Sequence, residues 1–311
     1  MLVRFRFLVV TLWLGFIAVS SVQAGATVVI VSSERSVAYL EAADALVGQL
    51  ERAGLPPREV LQLTAAELSV AGPLAPKLFV ALGAEAAMAL AQAELATPVL
   101  CTLLPRISFE RVLQTSGRKA SSQFSALYLD QPFSRQLELA RLALPAARRV
   151  GVLWGPTSQV QAPALRALAL ASGLELVEAT VARNELLFTG LKTVLEEADL
   201  LLAVADPQVY SNNSIQNILL ASFRAKVPLM AFSPAYVRAG ALLALHVTPT
   251  QIGRHAATIA SRVLQGKALS ATPLYPLEFT VAVNEHVARS FGLTLDADTL
   301  SAQLRRREAA P

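Results

Sequence analysis

The same succession of strand, turn and helix runs twice along this chain. Thr27 to Val31 is a short β-branched run, and the polar loop Ser32-Ser33-Glu34-Arg35-Ser36 leads into a helical segment, Val37 to Ala53, closed by Gly54. Arg149 to Trp154, the turn Gly155-Pro156-Thr157-Ser158 and the segment Val160 to Ser172 with Gly173 repeat that order. A second pair of segments matches as well. Lys77 to Leu82, the turn Gly83-Ala84-Glu85, a helix to Gln92 and a strand opened by Pro98 are answered by Asp199 to Val204, the loop Asp206 to Asn213, the helix Ser214 to Ala225 and a strand opened by Val227-Pro228. Continuous apolar strands alternating with helices predict parallel sheets covered on both faces. Two rounds of one pattern predict two similar Rossmann-like α/β lobes.

The stretch Lys226 to Ala256 joins those lobes. Val227 to Phe232 reads as a buried strand and stops at the turn Ser233-Pro234. Ala241 to Val247 reads as a second strand that crosses between lobes. Thr250 then caps a helix, Gln251 to Gln265, that Gly266 ends. Ser108 to Ser122 is polar and poorly periodic, which predicts a loop with a short helix. Phe124 to Leu129 reads as a strand leaving the first lobe, and Pro132 opens a helix with Phe133, Leu137, Ala140 and Leu144 on its buried face. The expected division is a first lobe of 25–123 with about 249–273, a second of 124–248 with about 279–300, and a flexible tail, 301–311. Crossings near 123–131, 240–248 and 274–283 would make a three-segment hinge, and lobes hinged in this way close on a solute at their strand C-terminal ends.

Composition narrows the setting. Of 311 residues 54% are apolar and 16% charged, and part of the apolar excess lies at the N-terminus. Arg4 and Arg6 precede the apolar run Phe7 to Val19, and Val22-Gln23-Ala24 offers small residues at the cleavage positions. These features predict a signal peptide, 1–24, cleaved after Ala24. Its loss removes two arginines and lowers the formal charge from +4 to +2, too weak for nucleic acid, and no basic stripe stands out before Arg305-Arg306-Arg307. Cys101 is the single cysteine. It lies on an apolar strand as a small core residue, leaves no intramolecular disulfide, and rules out lipid attachment at the leader junction. The mature protein is expected outside the inner membrane, in the periplasm of a two-membrane bacterium, as a monomer.

No phosphate-binding, dinucleotide, nucleophile-elbow or zinc-protease motif occurs. His246, His255 and His286 lie far apart with no carboxylate at ligand spacing, and Asp199 and Asp206 fall at opposite ends of one strand. The residues therefore predict no metal, no cofactor and no catalytic group. What remains is a ring of loops at the strand ends. In the first half these hold Ser32, Ser33, Gly83, Ala84 and Glu85; in the second, Trp154, Asp206, Asn212, Ser233 and Tyr236. Small residues before a helix leave N–H groups free for an anionic group, and Trp154, Tyr210, Phe232 and Tyr236 offer faces for a planar ligand.

Several segments carry a family likeness. Gly151-Val-Leu-Trp-Gly-Pro-Thr157, the loop after Leu201 to Ala205, Val227-Pro-Leu-Met-Ala-Phe-Ser233, Val237-Arg-Ala-Gly-Ala241, Ile252-Gly-Arg-His-Ala-Ala257 and Phe279-Thr-Val-Ala-Val-Asn284 resemble the ABC transporter substrate-binding proteins of the tryptophan/tyrosine-uptake type. The resemblance is clearest over about 125–295. It implies a type I periplasmic binding protein fold and a non-catalytic receptor that passes a small molecule to an inner-membrane ABC permease. It maps ligand contacts to Ser32 and Ser33, Gly83-Ala84-Glu85, Asp206 with Asn212, and Ser233 with Tyr236. The chain departs from those relatives at Ala84-Glu85, where they carry a Thr- or Ser-rich loop, and at Asp206 to Tyr210, where they carry polar residues with Asn. Two other roles fit the same fold: a ligand sensor or accessory partner of an outer-membrane uptake or signalling complex, and an exported enzyme, which would need a buried acid–base pair in the cleft.

Overall fold

The computed structural model describes residues 26–93, 95–181 and 187–309. The expected leader and its cleavage point lie outside them. Strands β1 (Val28–Ser32), β2 (Val60–Thr64), β3 (Leu78–Leu82), β4 (Val99–Leu104) and β5 (Phe124–Tyr128) form an all-parallel sheet in the order β2-β1-β3-β4-β5. A second sheet holds β6 (Arg149–Trp154), β7 (Glu175–Thr180), β8 (Leu200–Leu202), β9 (Leu229–Ala231), β10 (Leu243–His246) and β11 (Thr280–Val283), in the order β11-β10-β9-β8-β6-β7. Without β11, which runs antiparallel to β10, the two sheets share one strand order. The doubled pattern in the sequence is thus a doubled topology.

Alternation along each strand sorts side chains to two faces. Val28 and Ile30 pack with α1 (Val37–Arg52) and α10 (Pro249–Leu264), whereas Val29 and Val31 pack with α3 (Ala84–Gln92) and α4 (Arg106–Ser116). In the second lobe Val150, Val152 and Trp154 face α5 (Phe133–Ala143), α6 (Ala162–Ala171) and α12 (Ala297–Ala309). Leu153, Leu201 and Ala203 face α7 (Leu187–Glu197), α8 (Ile215–Arg224) and α9 (Pro234–Ala239). The short helices α2 (Ala65–Leu68) and α11 (Glu285–Ser290) complete the set among the described residues. Helix α10 starts at a capping box: Thr248 accepts the Gln251 N–H and Gln251 accepts the Thr248 N–H. The N-cap is therefore Thr248, two residues before the expected Thr250.

Several expectations need correction. Strand β5 pairs with β4, so the first lobe extends to 128, not 123. The short helix expected within 108–122 is α4, which starts earlier, at Arg106, and buries Phe109 and Val112. Ser233-Pro234 is the start of α9, with the Ser233 Oγ accepting the Ala235 N–H. The expected flexible tail is helical to Ala309, because Leu300 and Leu304 are buried against the second sheet. Strand β7 and helix α7 are additions to the elements read from the sequence; β7 is a half-buried edge strand whose apolar run is too short to stand out.

The chain crosses between lobes three times: from β5 to α5, from β10 to α10, and from Leu274, which pairs with Leu127, to β11. Arg135 on α5 ties two of these crossings together. Its guanidinium donates to Gln131 Oε1 in the first crossing at 2.7 Å and to the Pro276 carbonyl in the third at 3.0 Å. It also pairs with Glu308 of α12 and lies 4.8 Å from the Phe279 ring centre. Arg135→Met leaves these acceptors without a donor, and urea unfolding should show a loss of about 2–3 kcal/mol.

Candidate functional site

Between the lobes lies a cleft of about 560 Å³, within the range of roughly 300–1,000 Å³ common for small-molecule sites. Its walls come from strand ends and its floor from the crossings. The first lobe contributes Ala38 and Tyr39 of α1, with Leu103 in β4 and Pro105 just after it; the second contributes Ala203 to Ala205, Gln161 and Phe232 to Pro234. All three crossings reach it, through Leu129, Asp130 and Gln131, through Leu245 to Pro249, and through Tyr275. Leu103 holds a left-handed φ of 54° where the β4–β5 register shifts, a backbone conformation costly for a branched residue. That irregularity brings Leu103 to the cleft wall.

The lining is mostly apolar, with neutral polar groups set among aromatic rings. Phe133, Phe232, Tyr39 and Tyr275 lie around it, and Phe232 packs edge-on against Tyr236 with centroids 5.2 Å apart. Three floor residues stand out. Asp130 Oδ2 accepts the Arg106 N–H at 2.6 Å; burial raises its carboxyl above the ordinary value, against the pull of that hydrogen bond and of the Arg106 charge. Gln131 is 4% exposed, and its amide Nε2 has no partner. His246 Nδ1 is buried with no partner, and burial lowers the pKa of the ring, favouring the neutral form.

Of the residues nominated from the sequence, Ser233 lines the cleft. Ser33 and Gly83 stand one layer behind, in contact with Tyr39. Ser33 Oγ donates to the Leu82 carbonyl and accepts the Ala86 N–H, both at 3.1 Å, and Gly83 has a φ of 92°. A methyl at Gly83 would overlap the Tyr39 hydroxyl, so glycine is needed for that ring to seat. Burial raises the Tyr39 phenol, the Ser33 hydrogen bond lowers it, and the charges of Glu34 and Glu85 raise it again. Ser32 ends β1, half-buried, while Ala84 and Glu85 are exposed in the first turn of α3.

In the second lobe the nominated residues hold loops together. Asp206, 2% exposed, accepts the Thr157 hydroxyl at 2.7 Å and the backbone N–H groups of Thr157, Ser158 and Gln208 at 3.1, 2.8 and 2.9 Å. Burial alone would raise its carboxyl, but these hydrogen bonds prevail and hold it below the ordinary value. Gly155 lets the carboxylate approach, since a methyl there would collide with it. Trp154 is buried, with its indole N–H donating to Glu178 at 2.6 Å. Asn212 is exposed outside the cleft lining, and the Tyr236 hydroxyl donates to the Tyr210 carbonyl at 3.4 Å.

The sequence reading missed Asp130, Gln131, His246, Thr248 and Tyr275. Their signal was available: all five lie in segments recognised as crossings, and crossings must form the floor between two hinged lobes. Among the described residues no group of three His, Cys, Asp or Glu could hold a metal, and no helix is long and apolar enough to cross a membrane.

Two largely parallel-sheet lobes of matching topology, joined by three crossings that floor an apolar cleft, have the fold of the type I periplasmic binding proteins. The chain belongs to the ABC transporter substrate binding protein family, whose model matches residues 72–304. Members of that family are substrate-binding proteins and not enzymes. A tyrosine-binding protein of Clostridioides difficile is 25% identical over 194 residues, 61% of this chain and 53% of the relative. The match thus spans about half the length of that relative. Among solved structures, a ligand-free, open substrate binding protein with adhesive properties from Clostridium difficile aligns with a TM-score of 0.69 at 19% identity, over 87% of this chain and 96% of the other. An ABC domain from Streptococcus pneumonia in complex with L-Trp aligns at 0.60 and 17% identity, over 89% and 97%. At such identities the likeness is one of fold.

Proposed function

We propose that this protein is the periplasmic receptor of an ABC importer, which captures a small molecule between its lobes as a monomer and delivers it to an inner-membrane permease. The observation that carries this reading is that all three crossings line the cleft. Any rotation of one lobe against the other must then reshape the site, so ligand binding and lobe closure are coupled. A leader cleaved after Ala24 accounts for the export that the reading requires.

The contact set we propose is Tyr39, Asp130, Gln131, Phe232, Ser233 and His246, with Ser33 and Gly83 positioning Tyr39 from behind. Ser32, Ala84, Glu85 and Asn212 would reach a ligand only on closure, and Trp154, Asp206 and Tyr236 support the loops around it. The tyrosine-binding relative and the L-Trp complex favour an aromatic body, which the rings of Phe133, Phe232 and Tyr275 would accept.

A thermal-shift screen against amino acids, amines, nucleosides, vitamins, sugars and small anions tests the reading. A ligand at a hundred times its dissociation constant stabilises by about 2.7 kcal/mol, which is visible as a raised melting temperature. One chemical class should produce that shift. A folded protein that no solute stabilises would overturn the receptor reading in favour of a protein-partner role.

A further inference from the structure

The charge around the cleft has one sign. Asp130 is the single carboxylate in the lining, and none of the lining residues is a lysine or arginine. The nearby cations are already engaged: Arg106 pairs with Glu110 at 2.7 Å and donates to the Tyr275 hydroxyl, and Arg35 pairs with Glu67 at 2.6 Å. Asp130 itself makes no ion pair among the described residues. Glu34 and Glu85 lie close enough to raise the Tyr39 phenol, so the first-lobe wall beside α1 is also negative. An anionic group entering here meets Asp130, with Glu34 and Glu85 outside the lining and no lysine or arginine within it, which makes its desolvation costly.

The floor also has unmet hydrogen-bonding capacity. Gln131 is nine-tenths buried, lines the cleft and keeps an amide nitrogen without a partner, and His246, which also lines it, keeps Nδ1 without one. Buried polar atoms left unmet in this way are uncommon, and in a cleft they mark where a ligand supplies the missing partner. Around them the walls are apolar and aromatic.

We infer that the cleft takes an organic ammonium ion on an apolar body, with no carboxylate, its charged nitrogen on Asp130 and its remaining polar group between Gln131 and His246. The inference rests on the receptor reading and deepens it. An ammonium group would restore to Asp130 the solvation that burial removes, and the faces of Tyr39, Phe232 and Tyr275 would receive the same charge. This assignment sets the protein apart from the amino-acid chemistry in its relatives' names.

Matched compounds on one body, differing only in charge, provide the test. Calorimetric titration of the protein with phenethyl, indolylethyl and hexyl amines, and with the corresponding alcohols, carboxylates and α-amino acids, separates charge from shape. The amine on the best-fitting body should bind at least tenfold more tightly than its alcohol or amino acid. Asp130→Asn keeps an oxygen for the Arg106 N–H and should weaken the amine about tenfold more than it weakens the alcohol on the same body. An amino acid or carboxylate that binds as tightly as its amine overturns the inference, as does Asp130→Asn with undiminished amine binding; either leaves the receptor reading standing. A folded protein that responds to none of these compounds, nor to the wider solute screen, overturns the receptor reading as well.

Discussion

Asp206→Ala should lower the free energy of unfolding by about 3–5 kcal/mol, measured by urea or thermal denaturation, although Asp206 lies outside the cleft lining. Its carboxylate is the acceptor for one hydroxyl and three backbone N–H groups, from the turn after β6 and from the loop after β8. Removing it strands four donors in a site where the side chain is 2% exposed. Asp206→Asn retains acceptor capacity at one oxygen but turns the other into a donor against N–H groups, so it should recover only part of the loss. The pH dependence follows from the sign of the shift. The folded-state carboxyl titrates below its ordinary value, so its contribution is fully present above the unfolded range near about pH 4 and disappears as pH falls through the folded value. The stability gap between wild type and Asp206→Asn should therefore hold at neutral pH and narrow in acid below about pH 4. A gap that stays constant into strong acid would show that the charge contributes nothing.

The second large effect is expected at Gly253. Helices α1 and α10 make the most extensive helix–helix contact of the first lobe, and Gly253 packs directly on the Ala42 backbone of α1. A methyl built there would overlap the Ala42 carbonyl oxygen and crowd the Ala45 methyl. Backbone cannot rotate aside as a flexible side chain can. Gly253→Val must therefore push α10 away from α1 and expose part of the layer formed by Ala42, Leu46, Ile252 and Ala256. The cost should be about 3 kcal/mol or more, at or beyond the upper end of ordinary overpacking. Because α10 follows directly on a crossing that lines the cleft, ligand affinity should fall along with stability. Gly253→Ala serves as the graded control, with the same direction and a smaller loss.

Much of the scaffold was legible because its signals are local. Alternating buried strands, glycines at helix ends and the proline that opens β9's segment act over a few residues and can be read in order. The repeat was legible because both halves place their turns at corresponding points. Strand β7 is hard to read because an edge strand carries few apolar residues, and α4 reads only as a short helix without bounds because two buried side chains, Phe109 and Val112, leave a weak stripe in a polar segment.

The candidate site was legible in a different and more limited way. The loops at strand ends were named correctly as places where turns and helix starts meet, but their side chains differ in what capacity they have left. Asp206 and Trp154 were nominated for chemistry, and both spend their polar atoms on neighbours distant in sequence, Thr157 and Ser158 for one and Glu178 for the other. Asp130 and Gln131 carry no local signal and His246 reads only as a histidine without a metal partner, yet the fold places all three on the floor, with Gln131 Nε2 and His246 Nδ1 unpartnered.

By itself, then, the sequence determined two α/β lobes of one topology, the three points at which the chain passes between them, and the family likeness carried by the second half. Each of these follows from periodicity and turn chemistry within a short window. Only the tertiary structure decided which polar groups are consumed and which remain free, because that depends on partners some fifty residues away along the chain, as with Thr157 and Asp206. It also decided where the open volume lies, since a cleft is the space left after two sheets, their helices and three crossings have packed, and no local segment encodes that remainder.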